Sequence, residues 1–192
     1  MVDAAPADVL LAWFTWPAEG QPAPDLPALA AAGVHAVYRA VDGSDARAYA
    51  RPGADAQAIA QLLPGAVLLR LQSLMQRDGA SAEADAPFHY VVATDVVPEH
   101  EADFNAWYET EHAPGLAAVP GTVHAARYRS SDAERGSLPR YHACYDLQSP
   151  DGLTSAPWLA VRATDWSSRV RPQFRNTHRT MYRRVAGLRS TS

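Results

Sequence analysis

The strongest constraint on the fold is that one succession of segments occurs twice along the chain. LAAAGVHAVYR at residues 29–39 returns as LAAVPGTVHAARYR at 116–129, and LRLQS at 69–73 returns as YDLQS at 145–149. An apolar, strand-like segment precedes each occurrence, VLLAWFTW in the first and FHYVVATDVV in the second. Similar segments in the same order predict an internal duplication, with two units of like architecture.

The second half predicts the element order β-α-β-β-α-β. The apolar and β-branched patterns place strands at residues 88–97, 122–129, 140–147 and 177–185, one helix at 99–112 and another between 153 and 170. Pro98 suits a first helical turn, where its missing N–H needs no partner, and Pro114 and Gly115 predict the end of that helix. This order is the split β-α-β motif of a ferredoxin-like fold.

The first half repeats this order less completely. Its strands are expected near residues 10–14, 34–39 and 66–71, and its helices at 26–32 and 55–63. It has the proline-rich EGQPAPDLPAL where the second half has FNAWYETEH. The prediction is an α+β fold of tandem ferredoxin-like units: a degenerate unit at 1–76, a small and polar linker at 77–87, and a complete unit at 88–192.

Composition excludes several classes of function. All 17 basic residues are arginine, so Schiff-base chemistry, pyridoxal-phosphate attachment and a P-loop lysine are ruled out. The lone Cys144 rules out an internal disulfide and a multi-cysteine metal site. A net charge of -4 argues against nucleic acid or an anionic membrane as partner. The C-terminal arginines alternate with other residues, which favours a solvated or ion-paired surface over an anion-binding patch.

Targeting, metal and nucleotide signals are missing from the sequence. The N-terminal stretch MVDAAPADVLLAWFTWPAEG has no positive start and only a short apolar run, so a cytoplasmic protein without a membrane span is expected. The seven histidines form no HExxH or HxH pattern, and no glycine-rich loop follows a strand. We therefore expect neither a metal site nor a nucleotide cofactor.

The helix containing FNAWYETEH concentrates aromatic and titratable residues. Phe104, Trp107, Tyr108 and Glu111 share one helical face, with His112 at its edge. An aromatic stripe is typical of a core and accounts for Phe104 and Trp107. Tyr108 and His112 lie four residues apart and carry polar atoms that need partners when buried. The last helical turn favours protonated histidine, which predicts a proton donor at His112, or alternatively a simple helix cap.

The passage FNAWYETEHAPGLAAVPGTVHAARY resembles the EthD-like branch of the dimeric α/β-barrel superfamily. The matching residues are Phe104, Trp107, Tyr108, Glu111, His112, Pro114, Pro120, Gly121, Arg127 and Tyr128. The resemblance spans residues 88 to about 185 and extends more faintly to the first half. It implies two ferredoxin-like units placed sheet against sheet, within one chain or in a homodimer. It further implies a small ligand, held between sheet and helices or inside the barrel. The superfamily includes lactone isomerases, polyketide cyclases, cofactor-free monooxygenases and haem-binding enzymes.

Two predicted strands supply further candidates. In RYHACYDL, His142 and Cys144 share a face and could share a proton or activate a thiolate, although a strand cysteine is often only a small buried hydrophobe. In TVHAARYR, Arg127 could hold a carboxylate or enolate, or form a surface ion pair. His89 lies in a predicted strand without an identifiable partner.

The residues and the resemblance together predict a cofactor-independent enzyme. It would perform acid/base chemistry of the isomerase, cyclase, dehydratase or decarboxylase type on a small cyclic or aromatic metabolite. The predicted catalytic residues are His112 as general acid/base, Tyr108 as its hydrogen-bonding partner, Arg127 as electrostatic anchor, and the weaker pair His142 and Cys144. The predicted substrate-binding residues are Trp107, Tyr128 and Tyr145. Two alternatives are open: an oxidative enzyme, cofactor-free or with haem on an axial histidine, and a non-enzymatic small-ligand binder or accessory protein.

Overall fold

Eight strands form one closed barrel in the part of the chain that the computed structural model describes, residues 8–131 and 135–188. The strands are β1 Val9–Thr15, β2 Val34–Ala40, β3 Asp45–Ala50, β4 Val67–Asp78, β5 Phe88–Val96, β6 Thr122–Ser130, β7 Tyr141–Leu147 and β8 Phe174–Arg184. They follow one another around the barrel as β1-β3-β2-β8-β5-β7-β6-β4, and β4 pairs with β1 to close it. All neighbouring pairs are antiparallel.

Short helices cover the outside of the barrel. They are α1 Leu26–Ala31, α2 Ala56–Leu62, α3 Glu101–Trp107, α4 Ala113–Ala117, α5 Ala156–Arg162 and α6 Asp165–Val170. Side-chain caps begin four of them, because the side-chain oxygens of Asp25, Asp55, Ser155 and Thr164 accept a backbone N–H of the first turn. No helix in the described ranges combines the length and hydropathy needed to cross a membrane.

The same strand order occurs in both halves of the barrel. It is β4-β1-β3-β2 in the first half and β8-β5-β7-β6 in the second, and the halves meet where β2 pairs with β8 and β4 with β6. The barrel therefore closes within a single chain. The buried apolar residues form three clusters accordingly: one inside the barrel and one beneath the helices of each half.

The first half is more complete than the sequence predicted. It contains β3, which the sequence prediction missed and which lies between β1 and β2. Its sequence DARAYA has no β-branched residue, so strand propensity gives no signal there. Burial against both neighbouring strands makes it a strand. The first seven residues of the chain, the last four, and Glu134, which opens the turn predicted before β7, lie outside the described ranges.

The helix that contains FNAWYETEH, called the aromatic helix below, continues beyond Pro114, whereas the sequence predicted that it would end there. A π-helical turn, Tyr108–His112, follows α3, and α4 continues to Ala117 with Pro114 in its first turn. The Ala113 N–H reaches back five residues to the Tyr108 carbonyl, so the wider turn accommodates a residue that cannot donate an N–H of its own. The second predicted helix is divided into α5 and α6, because Thr164 caps a new helix start.

The polar segment between the halves is anchored to the second half. The N–H groups of Gly79, Ala80 and Ser81 donate to the carbonyls of Val123, Ala117 and Thr122 at 2.8–2.9 Å. Gly79 packs so closely that a Cβ there would lie 2.1 Å from the Thr122 oxygen. The unit boundaries at 76 and 88 stay a prediction.

Candidate functional site

The sheet separates the predicted site residues into two groups. Because side chains alternate along β6 and β7, neighbouring residues point to opposite faces. The outer face, beneath the helices, carries Arg127 and Tyr145, where the helical residues Trp107, Tyr108 and His112 pack. The barrel interior contains Tyr128, His142 and Cys144.

Arg127 is a buried cation with aromatic neighbours. It is 4% exposed, and its guanidinium carbon lies 4.9, 4.4 and 5.2 Å from the ring centroids of Phe104, Tyr108 and Tyr141. Its Nη2 donates to Asn105, whereas its Nε has no hydrogen-bond partner. No carboxylate of the described residues forms a salt bridge with it, and burial lowers its pKa. The alternative that Arg127 forms a surface ion pair is therefore wrong.

A cavity of about 250 Å³ opens beside Arg127. Its lining residues are Leu74, Met75, Asn105, Tyr108, Glu109, Arg127, Arg129 and Tyr141. Leu74 and Met75 belong to β4, so both halves of the chain contribute to it. The Tyr141 ring is held in place because its hydroxyl donates to Glu101. That hydrogen bond, together with one from Arg140, lowers the pKa of Glu101. The cavity thus combines the cations of Arg127 and Arg129 and the carboxylate of Glu109 with aromatic and apolar walls.

His112 lies in a second, smaller void on the other side of Tyr108. Its ring stacks on Trp107 at 4.0 Å and meets Tyr108 edge-on at 5.3 Å. The void measures about 30 Å³, and Tyr108 and Tyr145 also line it. Three buried polar atoms in its lining residues have no partner: Nδ1 of His112, Nε1 of Trp107 and the hydroxyl of Tyr145.

The protonation state predicted for His112 is wrong. Burial, reinforced by the charges of Arg162 and Arg171, lowers the pKa of His112 to about 3, so the imidazole is neutral at neutral pH. The expected help from a helix C-terminus is missing because the helical path continues through α4. A general acid/base role for His112 stays a prediction.

Three arginines line the His112 void without a carboxylate to pair with. Arg162, Arg171 and Arg179 form no salt bridge with any described carboxylate. Burial and the charges of Arg162 and Arg179 lower the pKa of Arg171. Arg169, by contrast, pairs with Asp103 at 3.0 Å. The predicted solvated or ion-paired surface holds for Arg169, which is ion-paired, and for Arg179, which is exposed, while Arg162 and Arg171 are half-buried. The three arginines around the void favour an anion.

Haem does not fit at His112. Cofactor pockets measure roughly 300–1,000 Å³, whereas the void at His112 measures about 30 Å³. Inside the barrel, the two ring nitrogens of His89 are engaged by Asp146 and Tyr49. No cluster of metal-ligating side chains occurs among the described residues.

Inside the barrel, four polar side chains form a continuous chain of contacts. Asp146 Oδ1 lies 2.7 Å from His89 Nδ1, His89 Nε2 lies 3.1 Å from the Tyr49 hydroxyl, and that hydroxyl lies 3.8 Å from Cys144 Sγ. Tyr38 stacks on the His89 ring at 4.3 Å. Although burial opposes the charged form, hydrogen bonds with Asp146 and Cys144 raise the pKa of His89 to about 9. His89 is therefore an imidazolium at neutral pH.

These four residues border a cavity of about 390 Å³ at one end of the barrel. The sequence indicates Cys144 as a candidate but not its partners. Strand alternation could have indicated Asp146, since it shares a strand face with Cys144. No sequence pattern could have indicated His89, because its position opposite Asp146 depends on the register of β5 against β7.

His142 is not the partner of Cys144. Its Nδ1 lies 3.3 Å from Arg47 Nη1, and its ring meets Trp13 edge-on. Burial and the Arg47 charge hold the pKa of His142 well below its usual range. The hydrogen-bonding groups next to Cys144 belong to Tyr49 and His89 instead. The prediction that His142 and Cys144 act as a pair is therefore wrong in its geometry.

Comparison with known proteins identifies the fold. No protein-family model matches the chain, and no curated protein matches it in sequence. A proposed monooxygenase from Lactobacillus acidophilus is similar in structure, with a TM-score of 0.61, 10% identity, and coverage of 93% of this chain and 94% of that one. An anthrone oxidase-like protein has a TM-score of 0.56 and 14% identity, with coverage of 97% and 96%. The haem-degrading enzyme of Listeria monocytogenes has a TM-score of 0.57 and 11% identity, with coverage of 92% and 98%.

The chain has the ferredoxin-like barrel fold. At 10–14% identity, these similarities show the fold alone. The α+β architecture predicted from the sequence is confirmed, and the narrower EthD-like assignment stays a prediction.

Proposed function

We propose that the chain is a cofactor-independent enzyme that transfers protons on a small cyclic or aromatic metabolite between the aromatic helix and the sheet. One observation carries the proposal. Four buried polar atoms without partners lie in this region: Nε of Arg127, Nε1 of Trp107, Nδ1 of His112 and the hydroxyl of Tyr145. Buried polar groups in folded proteins are normally paired. Four unpaired ones on the same side of the sheet indicate groups kept for a ligand.

The charges favour a ligand that is, or becomes, an anion. Arg127 carries its charge in a desolvated position, and Arg162, Arg171 and Arg179 add positive charge around the His112 void. A fixed cation in a low-dielectric site stabilises an enolate or phenolate far more than it would in water. Isomerisation, cyclisation, dehydration and decarboxylation can all proceed through such an anion.

Tyr108 and His112 have complementary roles in this proposal. Tyr108 lines both cavities, and burial raises its pKa, so it remains a protonated donor toward a developing oxyanion. His112 is neutral in the free protein because arginine charges and burial oppose its protonation. An anion bound in the cavity beside Arg127 compensates positive charge in this region and raises the pKa of His112. Because the void at His112 measures only about 30 Å³, the ligand itself stays beside Arg127, and His112 exchanges its proton with the ligand through Tyr108, which lines both cavities.

An oxidative reaction at the same site is the second candidate. Similar structures include a proposed monooxygenase and an anthrone oxidase-like protein. A phenolate or enolate held by Arg127 is also the electron-rich form of an aromatic substrate that reacts with oxygen. Turnover with and without oxygen separates the two reactions.

The same proposal extends to the organisation of the chain. We infer that residues 1–76 and 88–192 are tandem units and that residues 77–87 link them. The shared strand order of the two halves supports this inference. The four unpaired polar atoms named above lie in the second unit, while Leu74 and Met75 of the first unit line the cavity beside Arg127.

The test is binding of 4-nitrophenol, whose absorbance reports whether the bound form is phenol or phenolate. We expect the protein to bind the phenolate and to lower the pKa of the bound phenol. Arg127→Gln should weaken phenolate binding at least tenfold, equivalent to about 1.4 kcal/mol. Arg77→Gln, at an exposed position on β4, removes the same charge and should leave binding unchanged.

Equal weakening by both substitutions would reduce the effect to general electrostatics and contradict the proposed site. Binding that depends on Arg127 is to be followed by assays of cyclic enones, lactones and phenols under air and under nitrogen. Turnover under nitrogen supports proton transfer, turnover only under air supports the oxidative candidate, and binding without any turnover identifies a ligand-binding protein.

A further inference from the structure

We propose that Cys144 is a reactive thiol inside the barrel, aligned by Asp146, His89 and Tyr49 to add covalently to small α,β-unsaturated carbonyl compounds. This site lies on the opposite face of the sheet from the cleft assigned above. It stands independently of that function, because it shares no residue with it.

The hydrogen bonds around His89 run in one direction, toward Cys144. An imidazolium has two N–H donors, and those of His89 face Asp146 at 2.7 Å and the Tyr49 oxygen at 3.1 Å. With its oxygen accepting from His89, Tyr49 has its own O–H available for Cys144 Sγ, 3.8 Å away. The contacts therefore form a chain of donors that ends at the sulfur.

The His89 ring, which carries the positive charge, is fixed in position. His89 is 5% exposed and lies flat against Tyr38, with an interplanar angle of 20°. Tyr49 meets the same ring edge-on. Neither ring nitrogen of His89 can turn toward solvent without breaking its contact to Asp146 or Tyr49. The pKa of His89, raised to about 9, agrees with a permanent imidazolium at neutral pH.

A small molecule can reach Cys144 through the cavity that this residue lines. Cys144 is 3% exposed, but it lines the cavity of about 390 Å³ at this end of the barrel. That volume lies within the range of small-ligand pockets, roughly 300–1,000 Å³. Tyr38, Tyr128, Ala36 and Ala126 give it an aromatic and apolar wall, and polar or charged side chains such as His35, His124 and Arg184 line the rest. A small uncharged molecule that enters the cavity therefore meets the sulfur.

Cys144 belongs to the apolar cluster inside the barrel, but it also has polar neighbours that a cysteine filling a core does not need. The polar atoms next to it are the Tyr49 hydroxyl and His89. Asp146 completes the contact on the far side of His89.

The reaction uses no external oxidant or reductant. The sulfur forms a bond to the β-carbon of the conjugated carbonyl compound, and the electron pair of the carbon–carbon double bond moves toward the carbonyl to give an enolate. The Tyr49 hydroxyl gives its proton to the α-carbon and takes up the proton of the thiol, while His89 remains an imidazolium that donates to the Tyr49 oxygen. The product is a thioether that contains all atoms of both reactants. Reversal of the same steps releases the enone.

The experiment uses methyl vinyl ketone and intact-protein mass spectrometry. Because the chain has one cysteine, a thioether adduct can form only at Cys144, and Cys144→Ser provides the blank. We expect the native protein to be modified at least about tenfold faster than the same chain unfolded in urea, whose thiol is freely accessible. A native protein modified no faster than the unfolded chain would overturn the proposal.

Two matched tyrosine variants test the alignment. Tyr49→Phe removes the hydroxyl between His89 and Cys144 and should lower the modification rate about tenfold without changing the melting temperature by more than a few degrees. Tyr182→Phe removes a buried hydroxyl that bonds Arg47 and Asp45 instead of Cys144, and it should leave the rate unchanged. Equal rates for all three proteins would show that Tyr49 does not align the thiol. Where Tyr49→Phe fails to fold, Asp146→Asn tests the same chain of contacts and should also slow the reaction.

Discussion

The imidazole of His112 lies flat on the indole of Trp107, with ring centroids 4.0 Å apart and an interplanar angle of 22°. A cation over an indole ring is normally stabilised, so this stack alone would favour a charged imidazole. Burial and the charges of Arg162 and Arg171 outweigh that attraction and leave His112 neutral. The same arginines that prepare the region for an anion thus also set the protonation state of its histidine.

The neutral state of His112 predicts a loss of stability in weak acid. The pKa of this residue rises from about 3 in the folded protein to its ordinary 6.5 on unfolding. Between these two pH values the unfolded chain therefore binds a proton at His112 that the folded chain does not bind. Its stabilising contribution is complete above pH 6.5 and is lost as the pH falls toward 3. Between pH 7 and pH 5 the loss is about 2 kcal/mol.

Urea unfolding at pH 7 and pH 5 measures this effect when the parent is compared with His112→Phe. The substitution keeps a ring against Trp107 and removes the titration. The parent should lose about 2 kcal/mol more than the variant between the two pH values. Parallel losses would show that His112 is protonated in the folded protein as readily as in the unfolded chain.

His89 predicts the opposite pH dependence. Its pKa is about 9 in the folded protein and 6.5 in the unfolded chain, because Asp146 and Cys144 hold its proton against the cost of burial. The contribution of His89 is therefore complete below pH 6.5 and is lost as the pH rises through 9. The full change is about 3 kcal/mol.

His89→Gln removes this titration and keeps a polar side chain near Asp146. Urea unfolding at pH 6 and pH 9 should show a loss of about 3 kcal/mol in the parent that the variant lacks. If parent and variant lost stability equally, the contact between His89 and Asp146 would not hold an extra proton, and the donor chain toward Cys144 would lose its charge.

The sequence predicted the order of helices and strands more accurately than it predicted the spatial arrangement of the site. The aromatic stripe, the alternation along RYHACYDL and the turn residues were sufficient for the second half, and they placed Trp107, Tyr108 and His112 in one region. These are local patterns, which depend on residues a few positions apart. Two failures were local as well: β3 has little strand propensity, and a π-helical turn allowed the helical path to pass Pro114.

The division of the site between two faces of the sheet could not be predicted. Alternation shows that Arg127 and Tyr128 point in opposite directions, but not which of them faces the helices. The contact between His89 and Asp146 joins residues 57 positions apart and depends on the register of β5 against β7. The pKa of His112 depends on arginines from two other segments, so helix position alone gave the wrong sign.

We expect Gly79, in the segment between the two halves, to tolerate no side chain. A Cβ at this position would lie 2.1 Å from the Thr122 oxygen and 2.9 Å from the Val123 carbonyl carbon, which are backbone atoms of β6. Gly79→Ala should therefore displace the strand that carries Arg127 and cost at least about 2 kcal/mol of unfolding free energy.

Gly43→Ala is the matched control, because a Cβ at Gly43 meets nothing within 4 Å. It should change stability by no more than about 0.5 kcal/mol. Chemical denaturation of both variants measures the difference, and 4-nitrophenol titration shows whether the shift in β6 reaches Arg127. Tolerance of Gly79→Ala would mean that the segment packs less closely against β6.

Tyr145 connects stability with the proposed ligand. Its hydroxyl is buried without a partner, so in the absence of ligand it is desolvated without a compensating hydrogen bond. Tyr145→Phe should raise the stability of the free protein by about 1 kcal/mol. The same variant should bind phenolate less tightly, because the ligand loses a donor.

Tyr182→Phe is the contrasting variant. Tyr182 is equally buried, but its hydroxyl accepts from Arg47 at 2.8 Å and donates to Asp45, so its removal should cost about 1–3 kcal/mol. Thermal unfolding of both variants measures the difference. A loss of stability in Tyr145→Phe would mean that its hydroxyl is already satisfied in the free protein, by an ordered water in the void beside His112. Tyr145 would then be a structural residue, and the case for the ligand would rest on Arg127, Trp107 and His112.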